Sequence, residues 1–387
     1  MPEPLTGRGQ TPAPAWDAPL GQALDKLLQP ALAAGRLPGA VVAVCGRGLH
    51  HVQAWGQRAA DGIAVPAGSG LADWAPLGAD AIYDCASLTK AVVTAPLVQR
   101  LLWEGACQLD DPMRRYLPLA PESAQVTVRH LLTHSSALPA SLDLAPPWQG
   151  LPAARSRACA SVPTQQPGTL FRYSDINFIL LDALVEQLTG QPFEALARDW
   201  VFQPLAMADS GFNPLGWAPL ARLVPTEIDT LDGMLLGQVH DPTCRRMGGV
   251  AGHAGLFSTV HDLSRYATML LQEGCLDGVQ VMPAGAVAAM LANASPHGVP
   301  WRRGLGWDID SPYARARGAV YDPSHSAGHT GFTGCALWLD RSLQGFHVLL
   351  SNRVHPQARQ GIVDLYESVA TEAATAVRSR QRGVAAP

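Results

Sequence analysis

The chain has 387 residues, 47% hydrophobic and 16% charged, with a formal net charge of −4. At roughly 100–200 residues per domain this is material for about two domains with a sizeable core, and it excludes a disordered chain, a coiled coil and a collagen-like fibre. There is no basic run of five or more and no apolar stretch near the roughly 20 residues of a spanning helix, so nucleic-acid binding, attachment to an anionic membrane and a membrane span lack a physical basis.

In chain order, residues 1–20 hold Pro2, Pro4, Pro12, Pro14 and Pro19 and read as a flexible arm. They lack a charged n-region followed by an apolar h-region, and the seven cysteines are odd in number, widely spaced and without a CxxC pair. Both features point to a cytoplasmic protein with free thiols. A short helix is predicted over Asp25–Leu32, ending near Gly35. Gly39-Ala-Val-Val-Ala-Val44, the Gly46-Arg-Gly48 turn and His50–Trp55 predict a β-hairpin. Helices are predicted over Leu88–Glu104, Val128–Thr133 and Asn177–Leu188, the last stopping at Gly190. Another opens at Ser258–Asp262, with Thr259 and Asp262 at capping-box spacing. Residues 138–168 and 232–256 read as Pro-rich and Gly-rich loops, of a length that either lines a pocket or is disordered. Gly334–Leu339, a turn at Asp340–Gly345 and Phe346–Ser351 make a second hairpin, and a helix closes the chain over Arg359–Arg378.

Strands at both ends with helices between them predict an α/β (α+β) fold, with one antiparallel sheet built from both termini and a helical insertion. The approximate units are a sheet domain of 21–84 plus 290–387 and a mostly helical domain of 85–289.

Three short motifs carry chemistry. In Ser87-Leu-Thr-Lys90 a hydroxyl and an amine share one helix face, near an N-terminus that favours developing negative charge. Serine needs a nearby base to become a nucleophile, and a desolvated lysine can serve. Alone, the tetrapeptide also reads as a capping serine and a solvated lysine. Of 28 basic residues only Lys26 and Lys90 are lysine. Base composition accounts for part of this bias, and a retained lysine is also a candidate for a position where arginine, which cannot give up its proton, is unable to serve. Tyr173-Ser-Asp175, just before the Asn177 helix, places a phenol and a carboxylate at a loop–helix junction. Its plain alternative is a Ser174 or Asp175 cap with a packed tyrosine. His329-Thr-Gly331-Phe-Thr-Gly334 leads into a strand with room for a ligand to approach the backbone, or is an ordinary glycine-rich turn.

In the order SxxK, YxD, HTG these motifs resemble the serine β-lactamase and penicillin-binding-protein superfamily, in the branch of class C β-lactamases, DD-peptidases and related esterases. Gln108–Pro118, Val126–Pro139, Phe171–Gly190, Phe202–Phe212 and Gly255–Leu263 resemble further stretches of that family. The resemblance implies that Ser87 is acylated, that Lys90 takes or holds its proton, and that Tyr173 passes a proton to the leaving group and later activates water. It implies an oxyanion hole from the backbone N–H groups of Ser87 and Phe332. The strand after His329, with Thr330 and Gly331, would border the cleft and pair with an extended substrate.

Two positions depart from the pattern. Asp175 stands where many relatives have asparagine, and a carboxylate beside Lys90 favours the ammonium and shifts the burden towards Tyr173. His329 stands where typical β-lactamases have lysine, and a largely neutral imidazole attracts a carboxylate less. Arg353 is a candidate for the missing charge, or a solvated arginine at a strand end.

The resemblance implies a serine hydrolase acting on D-amino-acid-containing peptides or amides from cell wall, with small esters or β-lactams as alternative substrates. Val239–Pro242, Gly248–Gly255 and Asn352–Pro356 resemble the group linked to peptidoglycan turnover. A metal hydrolase is the rival enzyme class. His130 and His134, His325 and His329, and His50-His51 provide spacing, but no HExxH or zinc-type Cys-His set occurs, so neither metal nor other cofactor is expected. An α/β-hydrolase is disfavoured by the lack of GxSxG. A non-catalytic binding protein is disfavoured because both Ser87 and Lys90 are retained, and Cys85 reads as a small buried residue rather than a nucleophile. The expected partner is a small-molecule or short-peptide substrate; oligomeric state is not readable from the sequence.

Overall fold

The computed structural model describes residues 17–358 and 361–384. Its α-helices are α1 (Ala18–Ala33), α2 (Ala95–Trp103), α3 (Val128–Leu132), α4 (Leu151–Ala160), α5 (Asp175–Thr189), α6 (Phe193–Ala197), α7 (Pro242–Arg246), α8 (Val260–Leu271), α9 (Ala284–Leu291) and α10 (Val363–Val384). The main sheet holds β1 (Gly39–Gly46), β2 (Leu49–Gly56), β3 (Arg302–Arg303), β4 (Asp308–Asp310), β5 (Ser326–Gly331), β6 (Cys335–Asp340) and β7 (Gly345–Ser351). Their order is β2-β1-β7-β6-β5-β4-β3, antiparallel at every pair. The sheet is thus assembled from both ends of the chain, as predicted. Val42 faces Leu349 where β1 meets β7, and Leu337 faces Val348 where β6 meets β7.

Both faces of β1 are covered, which is why Gly39–Val44 reads as a continuous apolar run rather than an alternating one. Ala40, Val42 and Val44 pack with Leu20, Leu24 and Leu28 of α1 and Val369 and Ala373 of α10. Val41 and Ala43 face the other way, into the core shared with Leu263 and Tyr266 of α8 and with the helical region. Leu24 and Leu28 are fully buried, and truncating either to alanine costs about 2–5 kcal/mol.

Several boundaries differ from expectation, and prolines explain most of them. Helix α1 begins at Ala18 rather than Asp25, with Asp17 capping it by accepting from Leu20 N at 3.0 Å. Pro19 lies in its first turn, where a missing N–H costs nothing. The predicted arm therefore loses residues 17–20; residues 1–16 lie outside the described residues. Pro152 and Pro242 likewise open α4 and α7 inside stretches expected to be loops. Helix α5 ends at Gly190 in the left-handed conformation, as expected, but starts at Asp175. The closing helix runs to Val384, beyond the predicted Arg378, and Arg359 at its predicted start lies outside the described residues. Among the described residues no helix is long and apolar enough to cross a membrane.

Candidate active site

Ser87 sits on a turn held from both sides. Tyr83–Asp84 pairs with Phe257–Ser258, and Cys85 N donates to Leu256 O at 2.8 Å. Ala86 adopts φ +46°, a strained value for a residue with a Cβ, and its N–H donates to buried Asp84 at 2.8 Å. The chain then turns directly into helix, with Leu88 N on Cys85 O and Lys90 N on Ser87 O. The next turn, Lys90–Thr94, is a π-helix, a form that recurs at functional sites. It is tied to the segment before α8 by Thr94 Oγ1 donating to Gly252 O at 2.6 Å.

The fully buried Lys90 ammonium has three close oxygens. Nζ lies 2.8 Å from Ser87 Oγ, 2.9 Å from His253 O and 2.7 Å from Asp175 Oδ1. Burial works against its charge, but Asp175 and Tyr173 outweigh that and hold it above the ordinary lysine value. Tyr173 stands beside Ser87 and Lys90, its ring 4.9 Å from Nζ, and burial pushes its phenol up despite the neighbouring ammonium. The carboxylate thus meets the amine as the departure at Asp175 implies. Ser174 occupies the N-cap position of α5, yet its hydroxyl donates to Pro139 O instead of capping.

Strand β5 brings the third motif to the same place. Gly331 lies so close to the Ser87 turn that a Cβ there would stand 2.4 Å from Cys85 O, and Thr333 Oγ1 donates to Asp84 O at 2.7 Å. Among the described residues no acceptor takes the N–H of Ser87 or Phe332. His329 is buried with Nδ1 on Thr330 O at 2.8 Å. Burial, followed by the charges of Arg303 and Lys90, holds its pKa well below the usual histidine value, so the imidazole is neutral. Arg353 is nearly buried, with its guanidinium 4.7 Å from the Phe332 ring and close enough to Tyr366 to act on its phenol. It is not the solvated strand-end arginine of the plain alternative. Ser87, Tyr173, His329, Thr330, Gly331, Phe332 and Arg353 line one cavity of about 330 Å3. Lys90 and Asp175 stand behind it.

Sequence reading weighed His134 only as part of a histidine pair for the rival metal hydrolase, and Asp241 and His253 fell inside family-like stretches with no role of their own. His134 stacks on Tyr173 at 4.3 Å, and its Nδ1 accepts from Ser174 N at 3.1 Å and Asn177 Nδ2 at 3.2 Å. That fixes both the ring and the loop carrying Tyr173. His253 Nε2 pairs with Asp241 Oδ1 at 2.9 Å, directly behind Lys90. The only sequence signal for these residues was their place inside stretches of family resemblance. Arg303 on the cavity wall was not singled out at all.

The sequence model of the Beta-lactamase family matches residues 24–370. A protein of Escherichia coli K12 named "Putative D-alanyl-D-alanine carboxypeptidase" is 32% identical over 308 residues, covering 71% of this chain and 69% of the relative. Among solved structures, a penicillin-binding protein homologue from Caulobacter crescentus superposes with a TM-score of 0.70 at 19% identity, over 94% of this chain and 99% of that one. EstCE1, a hydrolase with promiscuous acyltransferase activity, gives 0.68 at 19% identity, over 91% and 98%. The last two speak for the fold. With the family match spanning most of the chain, the protein is a member of the Beta-lactamase family and a serine hydrolase.

Proposed function

We propose that Ser87 is acylated by short D-amino-acid-containing peptides or amides derived from cell wall, and that the acyl-enzyme is then hydrolysed, as in a DD-peptidase or amidase. The carrying observation is the 2.8 Å contact between a fully buried lysine amine and the Ser87 hydroxyl at the floor of a cavity. In this reading Ser87 Oγ attacks the carbonyl while its proton passes to the Lys90–Tyr173 pair. Asp175 orients Lys90. The tetrahedral oxygen is received by the N–H groups of Ser87 and Phe332, two fixed donors of the kind that supply much of the rate enhancement in acyl transfer. Tyr173 returns a proton to the leaving amine and then takes one from the hydrolytic water. Thr330 and Gly331 present strand backbone to the peptide, and Arg353 supplies the positive charge for a substrate carboxylate that neutral His329 does not.

The peptidase side is supported by the carboxypeptidase name of the relative at 32% identity. A small-ester reading has its own support, because exposed Phe332 and Tyr313 flank the cavity together with Ile362 and Val363 and offer an apolar mouth. Seven free cysteines suit a reducing compartment, so we place the protein in the cytoplasm, acting on recycled wall fragments. Intact-protein mass after incubation with a penicillin tests the core of this proposal. A persistent adduct lost in Ser87→Ala supports it. An adduct that survives Ser87→Ala overturns it, and turnover of short acyl esters with muropeptide fragments untouched favours the ester reading.

A further inference from the structure

Behind Lys90 lies a second ion pair that the acylation steps do not use. Nε2 of His253 meets Asp241 Oδ1 at 2.9 Å, and Asp241 is itself fixed by accepting from Cys244 N at 2.7 Å as the cap of α7. One ring nitrogen of His253, one oxygen of Asp241 and one oxygen of Asp175 lie within 4.8 Å of one another. The His253 backbone carbonyl accepts from Lys90 Nζ at 2.9 Å, so ring and ammonium are anchored to each other. Nδ1 of the ring is buried with no hydrogen-bond partner among the described residues.

The charged groups facing His253 are Asp241 at the N-cap of α7, Asp175 and Asp182 from α5, and Lys90 from the π-helical turn. Asp182 is already engaged, by Arg155 at 3.0 Å and by Gly252 N at 2.8 Å. That leaves two carboxylates, Asp175 and Asp241, for two bases, Lys90 and His253. With both bases protonated the cluster is neutral. If His253 loses its proton, two carboxylates act on one ammonium and hold its proton harder.

We propose that His253, clamped by Asp241, is a positioning residue that sets the protonation state of Lys90 through Asp175, and that the first proton lost from this cluster defines the acid limb of acylation. The proposal rests on the reading of Ser87 as nucleophile and Lys90 as its proton acceptor. Two coupled bases lose protons in macroscopic steps that belong to the pair. After the first loss, one proton is shared between two arrangements. The major one is Lys90 ammonium with neutral His253, and the minor one is Lys90 amine with His253 imidazolium. Only the second accepts the Ser87 proton, and its share no longer depends on pH. Acylation therefore speeds up with pH until that first proton leaves, then levels off. The direction of the histidine shift agrees: burial opposes the imidazolium, but Asp241 and Asp175 outweigh it and hold His253 above the ordinary value.

The test is the rate of acylation by p-nitrophenyl acetate against pH in the full chain. Wild type is expected to rise about tenfold per pH unit and then bend to a plateau above the range in which an ordinary histidine titrates. His253→Gln should be slower by about tenfold or more below the bend, one unit of proton affinity being worth a factor of ten, and should keep rising with no plateau. In an Asp175→Asn background the same substitution should lose most of its effect. An unchanged bend in His253→Gln, or an equal effect in both backgrounds, overturns the proposal. If wild type is not acylated at all, the reading of Ser87 fails instead, and nitrogen-15 NMR of the histidine rings still decides the cluster. His253 should titrate above the ordinary histidine range, and higher still in folded Lys90→Gln. A ring that titrates within or below that range, or a titration unmoved by Lys90→Gln, overturns the coupling whatever the substrate.

Discussion

Lys90 Nζ stands 2.7 Å from Asp175 Oδ1 and 2.8 Å from Ser87 Oγ, so one buried ammonium bridges a carboxylate and the candidate nucleophile. The carboxylate stabilises the protonated lysine, which is the form that cannot take the serine proton. Asp175→Asn keeps a polar side chain of the same shape without the charge, and should preserve or raise the acylation rate at neutral pH. Lys90→Arg, which cannot release a proton, should lower it by about 10²–10⁴-fold. Stopped-flow acylation of folded variants checks both, and an abolished rate in Asp175→Asn counts against this account of Lys90.

Gly331→Ala tests how tightly β5 is drawn to the Ser87 turn. Its Cβ would meet Cys85 O at 2.4 Å, a backbone atom on a turn already strained at Ala86. The strand must retreat, at a cost of about 1–3 kcal/mol. Urea unfolding should show that loss, and acylation should fall because the Phe332 N–H moves with the strand.

Arg353→Ala separates substrates by charge. The guanidinium is held at the cavity wall between the Phe332 ring and Tyr366, while His329 is neutral. For a peptide ending in a free carboxylate KM should rise about tenfold, roughly 1.4 kcal/mol. The matching C-terminal carboxamide should be little affected, and equal losses for both would assign Arg353 a packing role only.

Acid stability carries a signature of His347. This side chain is fully buried, stacks on Tyr321, and burial pushes its pKa down to about 3. The unfolded chain binds a proton there below the ordinary value of about 6.5, while the folded chain does not. Stability is therefore lost as pH falls from that value towards about 3, by about 1.4 kcal/mol per pH unit from this group alone. His347→Phe removes the dependence. Between about pH 6 and about pH 4 the wild type should lose ~2–3 kcal/mol more than the variant in urea unfolding.

Much of the architecture was legible because local chemistry is written in short stretches. The apolar runs at Gly39–Val44 and Gly334–Leu339 are strands with both faces buried, and Thr259 does cap α8 by accepting from Asp262 N. Helices opened by proline were not legible, since Pro19, Pro152 and Pro242 mark a loop and a first helical turn equally well. The two-residue strand Arg302–Arg303 and the short strand Asp308–Asp310 are too brief to carry a periodic signal.

By itself the sequence determined which side chains are present for chemistry and the order of their motifs, SxxK, YxD and HTG. It also determined that apolar segments at both ends pair into one sheet. Only the tertiary structure decided what those groups are in place. His329 is neutral because burial strips it of water beside Arg303 and Lys90, and Arg353 faces the cavity because the end of β7 is tied to Gly334, with Ser351 Oγ donating to Gly334 O, and the guanidinium lies over the Phe332 ring. Lys90 meets His253 across 163 positions of chain. Charge state follows from solvent exclusion and from neighbours brought together by folding, and neither is a property of residues adjacent in sequence.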